Sequence, residues 1–144
     1  MSSIGINFFS EAITFQLDNQ DVLAQWLHSV VLEEKKAIEC INFIFCSDEY
    51  LHKINVAYLN HDTYTDVITF PYAAFPVEGD VFISIERVKE NAEQYQVDFT
   101  TELHRVMVHG TLHLLNYLDK SVEEKRQMTR LENKYLQRLA LKPN

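Results

Sequence analysis

The segment from Thr101 to Leu114 constrains this chain more than any other. Leu103, Val106, Met107 and Leu114 recur there at helical spacing. A helix this apolar has to be covered, so it is expected at the centre of the fold, packed against a sheet. The same helix carries His109 and His113. Residues four apart stack on one helix face, so both imidazoles can reach one ion. Asn116 follows, and Asn tolerates the left-handed conformation that ends helices. A turn there swings Asp119 back toward the histidines as a third ligand. Two His and one carboxylate, with a position left for water, is the donor set of a catalytic zinc site. Paired histidines at this spacing also occur as ordinary helix residues; the turn and the carboxylate favour metal. The ligand positions match the long zincin pattern, but Gly110 stands where a metalloprotease keeps its Glu base, and Asp119 stands at the third His. Without that base the standard protease mechanism is disfavoured.

Around this helix the chain alternates short β-rich runs with helical ones. Ala12 to Leu17 reads as a strand. Asp18 and Asn19 offer caps for a helix bearing Val22, Leu23, Trp26, Leu27 and Val30. Ile41 to Cys46 reads as a buried strand, and Ser47 as the N-cap of a helix with Leu51, Ile54 and Tyr58 on its apolar face. Thr65 to Tyr72 is a further strand, which Pro71 limits or marks as a free edge. Gly79-Asp80 is expected to turn the chain into a fourth strand, Val81 to Ile85. Glu86 to Val97 is helical. Thr100 or Thr101 is expected to cap the histidine helix, and Val122 to Leu139 forms the last one. The order implies one α+β domain over 1–144, with a small mixed sheet of about four strands packed by helices.

Composition narrows the function classes. At 144 residues the chain can bury a real core, and no apolar stretch approaches the roughly 20 residues of a membrane span. Met1 to Asn7 shows no secretory pattern. Cys40 and Cys46 lie six residues apart, roughly 20 Å in an extended chain, too far for a disulfide. Reduced cysteines fit a cytoplasmic protein. The net charge of −8 argues against a simple nucleic-acid binder. It is unevenly spread, however: residues 1–119 carry a net −12 and residues 120–144 a net +4. The basic residues Lys120, Lys125, Arg126, Arg130, Lys134, Arg138 and Lys142 directly follow the candidate metal site. On charge alone they read as the solvated face of a terminal helix.

Three segments resemble the YbeY family of metal-dependent endoribonucleases. His109-Gly110-Thr111-Leu112-His113-Leu114-Leu115-Asn116-Tyr117-Leu118-Asp119 is similar to its His-Gly-x-Leu-His-Leu-x-Gly-Tyr-Asp-His motif. Thr65-Asp66-Val67-Ile68-Thr69-Phe70-Pro71 and Gly79-Asp80-Val81-Phe82-Ile83-Ser84 resemble two of its strands. The likeness runs from about Ile41 to Met128, and Gly110 is the residue that the family has.

The resemblance implies a zinc-dependent, single-strand-specific endoribonuclease acting in maturation of the 3′ end of small-subunit ribosomal RNA and in ribosome quality control. One divalent ion, zinc or another, would sit on His109, His113 and Asp119 and supply the attacking hydroxide. The implied partners are single-stranded RNA, the small ribosomal subunit with one of its proteins, and the GTPase Era. The acidic part of the chain would suit a basic ribosomal protein. Asp66 is the nearest candidate for a polar group in the cleft, although a turn or strand-edge cap is its ordinary role. His61, Lys120, Lys125, Arg126 and Arg130 are candidate phosphate contacts, and Tyr117 is available to stack on a base. Two departures stand out. Asp119 replaces the family's third His, and Leu59 falls where the family has an arginine; Arg87 and Arg105 are the candidates to supply its charge. Two other readings follow: a ribosome-assembly or binding factor with weak or no nuclease activity, and another zinc hydrolase of the metalloprotease kind.

Overall fold

In the computed structural model, which describes residues 4–140, four strands form one mixed sheet and five helices pack against it. The strands are β1 (Ile6–Glu11), β2 (Ile38–Cys46), β3 (Val67–Ala74) and β4 (Val77–Ser84). The helices are α1 (Gln20–Glu33), α2 (Asp48–Leu59), α3 (Ile85–Tyr95), α4 (Phe99–Leu114) and α5 (Val122–Ala140). The sheet order is β1-β2-β4-β3, with β1, β2 and β4 parallel and β3 antiparallel to β4. The expected α+β fold with a four-stranded mixed sheet is therefore the one observed. Lys142 lies outside the described residues. No helix among the described residues is long and apolar enough to cross a membrane.

The sheet buries both faces unequally. On one face Ile41, Phe43, Phe45, Val81 and Ile83 join residues of α1, α4 and α5 in the main core. On the other, α2 covers a smaller cluster of Cys46, Leu51 and Ile68. Ser47 caps α2 as expected, its hydroxyl accepting from the Tyr50 amide at 3.1 Å. Tyr58, expected on the apolar face, is exposed. Both cysteines are free.

Four sequence expectations need correction. The first strand is Ile6–Glu11, not Ala12 to Leu17. Ala12 takes a left-handed φ of 62°, which ends the pairing with β2. The alternation beyond it still buries Ile13, Phe15 and Leu17 on one side, but as irregular chain. Asn19 sits at the N-cap of α1 with φ 59° and its side chain caps nothing.

Gly79-Asp80 is not a turn but lies inside β4. A Cβ on Gly79 would stand 2.7 Å from a Leu114 methyl and 2.9 Å from the Phe70 carbonyl, so glycine is there for the close approach of α4. The reversal falls at Phe75-Pro76. Finally, the N-cap of α4 is Asp98, whose charge suits the positive helix end, and Thr100 and Thr101 are already helical. Pro71 does mark a free edge, because β3 is an outer strand.

Candidate metal centre

Helix α4 is set down directly on the sheet, and this aims the histidines. A Cβ on Gly110 would stand 2.6 Å from Val81 Cγ1. Position 110 therefore faces the sheet, leaving His109 and His113 on a flank of the helix. A Glu at 110, the residue of the protease pattern, would have no room against Val81.

The helix ends in a Schellman turn. Asn116 has φ 75°, its amide donates to the His113 carbonyl at 3.0 Å, and the Tyr117 amide donates to the Leu112 carbonyl at 3.1 Å. That turn brings Asp119 back to the histidines. The two Nε2 atoms are 3.0 Å apart, and Asp119 Oδ2 lies 3.3 Å from that of His109 and 3.5 Å from that of His113. No other group of this kind occurs among the described residues. These separations fit one ion. Ligands at 2.0–2.1 Å from a tetrahedral ion stand about 3.3 Å from one another. Two imidazoles and a carboxylate suit a borderline divalent cation such as zinc.

The outer nitrogens fix the tautomers. His113 Nδ1 lies 2.9 Å from the Tyr117 carbonyl. A carbonyl only accepts, so Nδ1 carries the hydrogen and Nε2 presents its lone pair. His109 Nδ1 lies 2.6 Å from Glu132 Oε2, and Arg105 Nη1 donates to Glu132 Oε1 at 2.9 Å. Burial works against a charged His109, but the hydrogen bond to Glu132, that group's charge and those of Asp119 and Asp66 outweigh it. The net pKa is raised from 6.5. Carboxylate–histidine pairs of this kind orient a ligand and raise its basicity.

Glu132 was missed in the sequence, yet a signal was there. Met128, Glu132 and Tyr135 follow one another at helical spacing, and all three are buried. A carboxylate inside an apolar stripe calls for a partner.

A cleft of about 430 Å³ opens on the triad. Asp66 and His61 are on its walls with Asn55 and Leu59. Asp66 accepts from Asn91 Nδ2 at 3.2 Å; burial raises its pKa, helped by the Glu132 charge and opposed by that of His109. A second cleft of about 320 Å³ adjoins the first, sharing Asp66, His109 and Asp119 and reaching Lys125. Lys125, Arg126 and Arg130 lie along the exposed side of α5, whereas Lys120 is exposed but in neither cleft.

Other expected site residues are engaged elsewhere. Lys134 and Arg138 pair with Glu33. Tyr117, expected to stack on a base, donates its hydroxyl to Glu34 at 2.5 Å and packs on the core. Arg87 is held by Asp48 and Glu90, and Arg105 by Glu132 and Asn133. Arg105 nonetheless lines the second cleft beside His109 and Asp119, whereas Arg87 lines neither cleft.

A helix-borne His-His-Asp group able to hold a metal ion, with Glu132 behind one imidazole and an open cleft in front, is a centre of the metal-dependent hydrolase type. The matches to known proteins narrow the class. The family model described as endoribonuclease YbeY matches residues 6–140. An endoribonuclease YbeY of Amoebophilus asiaticus is 48% identical over 138 residues, covering 94% of each chain. One of Flavobacterium johnsoniae is 52% identical over 117 residues, covering 81% of this chain and 84% of that one. A solution structure of a Thermotoga maritima protein superposes with a TM-score of 0.66 at 25% identity, over 93% of this chain and 88% of that one. The chain belongs to the endoribonuclease YbeY family.

Proposed function

We propose that this protein is a metal-dependent endoribonuclease that hydrolyses phosphodiester bonds of single-stranded RNA, in maturation of small-subunit ribosomal RNA and its quality control. The observation that carries the reading is the spacing of three donors, His109 Nε2, His113 Nε2 and Asp119 Oδ2, at the edges of one tetrahedron beside a cleft. A divalent ion bound there, zinc by its donor set, supplies Lewis acidity toward a phosphoryl oxygen and a more acidic water.

The chain's own residues do the rest. Glu132 and the Tyr117 carbonyl hold the imidazoles with Nε2 toward the cleft. Asp66, on the wall of both clefts and raised in pKa by burial, is placed to hold or pass a proton. His61 at the rim, and Lys125, Arg126 and Arg130 along α5, offer phosphate contacts. The chain would work as one cytoplasmic domain, alongside the small subunit and assembly factors such as the GTPase Era.

The test pairs metal content with cleavage of a labelled single-stranded ribosomal RNA fragment, for wild type and His113→Ala. One zinc per chain with cleavage, and loss of both in the variant, supports the proposal. Cleavage by metal-free His113→Ala would sink it. Leu59 favours a second reading, because no free guanidinium faces the cleft among the described residues. On that reading the protein is an assembly factor with weak nuclease activity. Zinc without cleavage by the wild type would select it, and cleavage that rises in Leu59→Arg would tie the weakness to that position.

A further inference from the structure

Glu102 has no assigned work, yet its position is costly. It lies on α4 seven residues before His109, roughly 10 Å along the same helix flank. The residue is 6% exposed. Its carboxylate makes no hydrogen bond and no ion pair with any described residue. It is not sealed in either, because among the described residues no fully enclosed side-chain oxygen lacks a partner. The carboxylate instead opens on the second cleft, which continues from the candidate metal centre. Burial, and next the charge of Asp66, raise its pKa, and the charge of Arg105 in the same cleft opposes them. An acceptor kept buried without a donor fits a ligand that brings the donors.

The rest of that cleft indicates what the ligand is. Tyr95, 59% exposed at the end of α3, offers a ring for stacking. Met128 and Val106 supply an apolar floor, and Lys125 a cation at the mouth. About 320 Å³ accommodates a nucleobase.

We propose that this second cleft is a nucleobase subsite beside the scissile phosphate, in which Glu102 reads guanine in preference to uracil. The inference rests on the ribonuclease reading above. At a pH above its raised pKa the Glu102 carboxylate is ionised and only accepts hydrogen bonds. Guanine presents two adjacent donors, N1–H and the N2 amino group, which match the two carboxylate oxygens. Uracil presents one donor between two carbonyls that face the carboxylate unfavourably. A good bidentate base contact discriminates by about 1–3 kcal/mol, or roughly 5- to 150-fold.

The experiment titrates the zinc-saturated full chain with GMP and with UMP and follows binding by NMR or calorimetry. GMP is expected to bind at least about fivefold tighter than UMP. The isosteric Glu102→Gln keeps the volume but gives uracil O4 a donor, so the ratio should collapse toward one. Tyr95→Ala should weaken both ligands alike. Equal binding of the two by the wild type, an unchanged ratio in Glu102→Gln, or no GMP binding at millimolar concentration would each overturn the proposal. Failure of the ribonuclease reading looks different. A chain that prefers GMP but cuts no RNA would sink that reading and keep the subsite, whereas one that cuts RNA with no base preference would do the reverse.

Discussion

His109 and His113 stand one turn apart on α4 and face the same point, but they are held by different kinds of partner. His109 is held from outside its helix by the buried carboxylate of Glu132, which Arg105 anchors in turn. His113 is held by the main-chain carbonyl of Tyr117, four residues on, in the turn that ends the helix. The first arrangement needs a particular side chain on α5. The second follows from the Schellman turn at Asn116 and survives any side chain at 117 that leaves the turn intact. One histidine is thus exposed to change at a distant position and sits against a carboxylate charge, while the other is secured by local backbone geometry.

The largest break in this asymmetry should come from Glu132→Gln. The amide can still accept from His109 Nδ1, but the negative charge is gone. Loss of the carboxylate that orients a ligand histidine lowers metal affinity by about 10- to 100-fold. Zinc competition against a chromophoric chelator measures it. An affinity within error of the wild type would show that Glu132 is only a packing residue.

That pair of supports also marks what the sequence could and could not reveal. His109, His113, Asn116 and Asp119 were legible because helix spacing and one left-handed residue determine their meeting, all within eleven residues. The Tyr117 carbonyl is equally local, but backbone acceptors leave no mark in composition. Glu132 lies 23 residues from His109 and reaches it through the packing of α5 on α4, which no local pattern states. The same reason hid Glu34, which accepts from both Tyr117 and Tyr135 and ties α1 to the site. In the fold, β1 was missed because the alternation of Ile13, Phe15 and Leu17 read as the strand, whereas a positive φ at Ala12 ends the pairing with β2 before that run begins. Gly79 and Gly110 read naturally as turn or motif residues. Their actual role, letting α4 touch β3 and β4, shows only once helix and sheet are in contact.

Both histidines share that contact, so Gly110→Ala should disturb them together. Alanine improves helix propensity by up to about 1 kcal/mol. Against this, the new methyl would sit 2.6 Å from Cγ1 of Val81, a β-branched side chain with little rotamer freedom. Overpacking of this kind costs about 1–3 kcal/mol, so a net loss is expected. Chemical denaturation of metal-free protein reads it. A variant as stable as the wild type would mean that α4 lifts off the sheet at little cost.

Tyr117→Phe isolates the local support. The hydroxyl bonded to Glu34 is lost while the carbonyl that holds His113 remains. Stability should fall by about 0.5–1.5 kcal/mol, the usual worth of such a bond. Zinc affinity should stay within about threefold of the wild type, far short of the Glu132→Gln effect. An affinity loss equal to that of Glu132→Gln would abolish the distinction between the two histidines.

The smallest expected effect is a pH slope in the metal-free protein, and its sign follows from the Glu132 bond. The folded His109 pKa lies above its ordinary 6.5, so folding favours the protonated ring. That contribution is complete below 6.5 and is lost as pH rises through the raised value. Asp66 and Glu102 are also raised, from 3.8 and 4.5, so their contributions are lost with rising pH too, beginning at lower pH, while the lowered Glu33, Glu124 and His104 act in the opposite sense below 6.5. The part that belongs to His109 is separated by substitution. Thermal unfolding of metal-free Glu132→Gln should lose most of the decline above 6.5, with a smaller change in the carboxylate range, where Asp66 and Glu102 also lose the Glu132 charge. A wild-type decline above 6.5 that persists unchanged in the variant would assign the slope to a group other than the His109–Glu132 pair, and the electrostatic half of the comparison would fail.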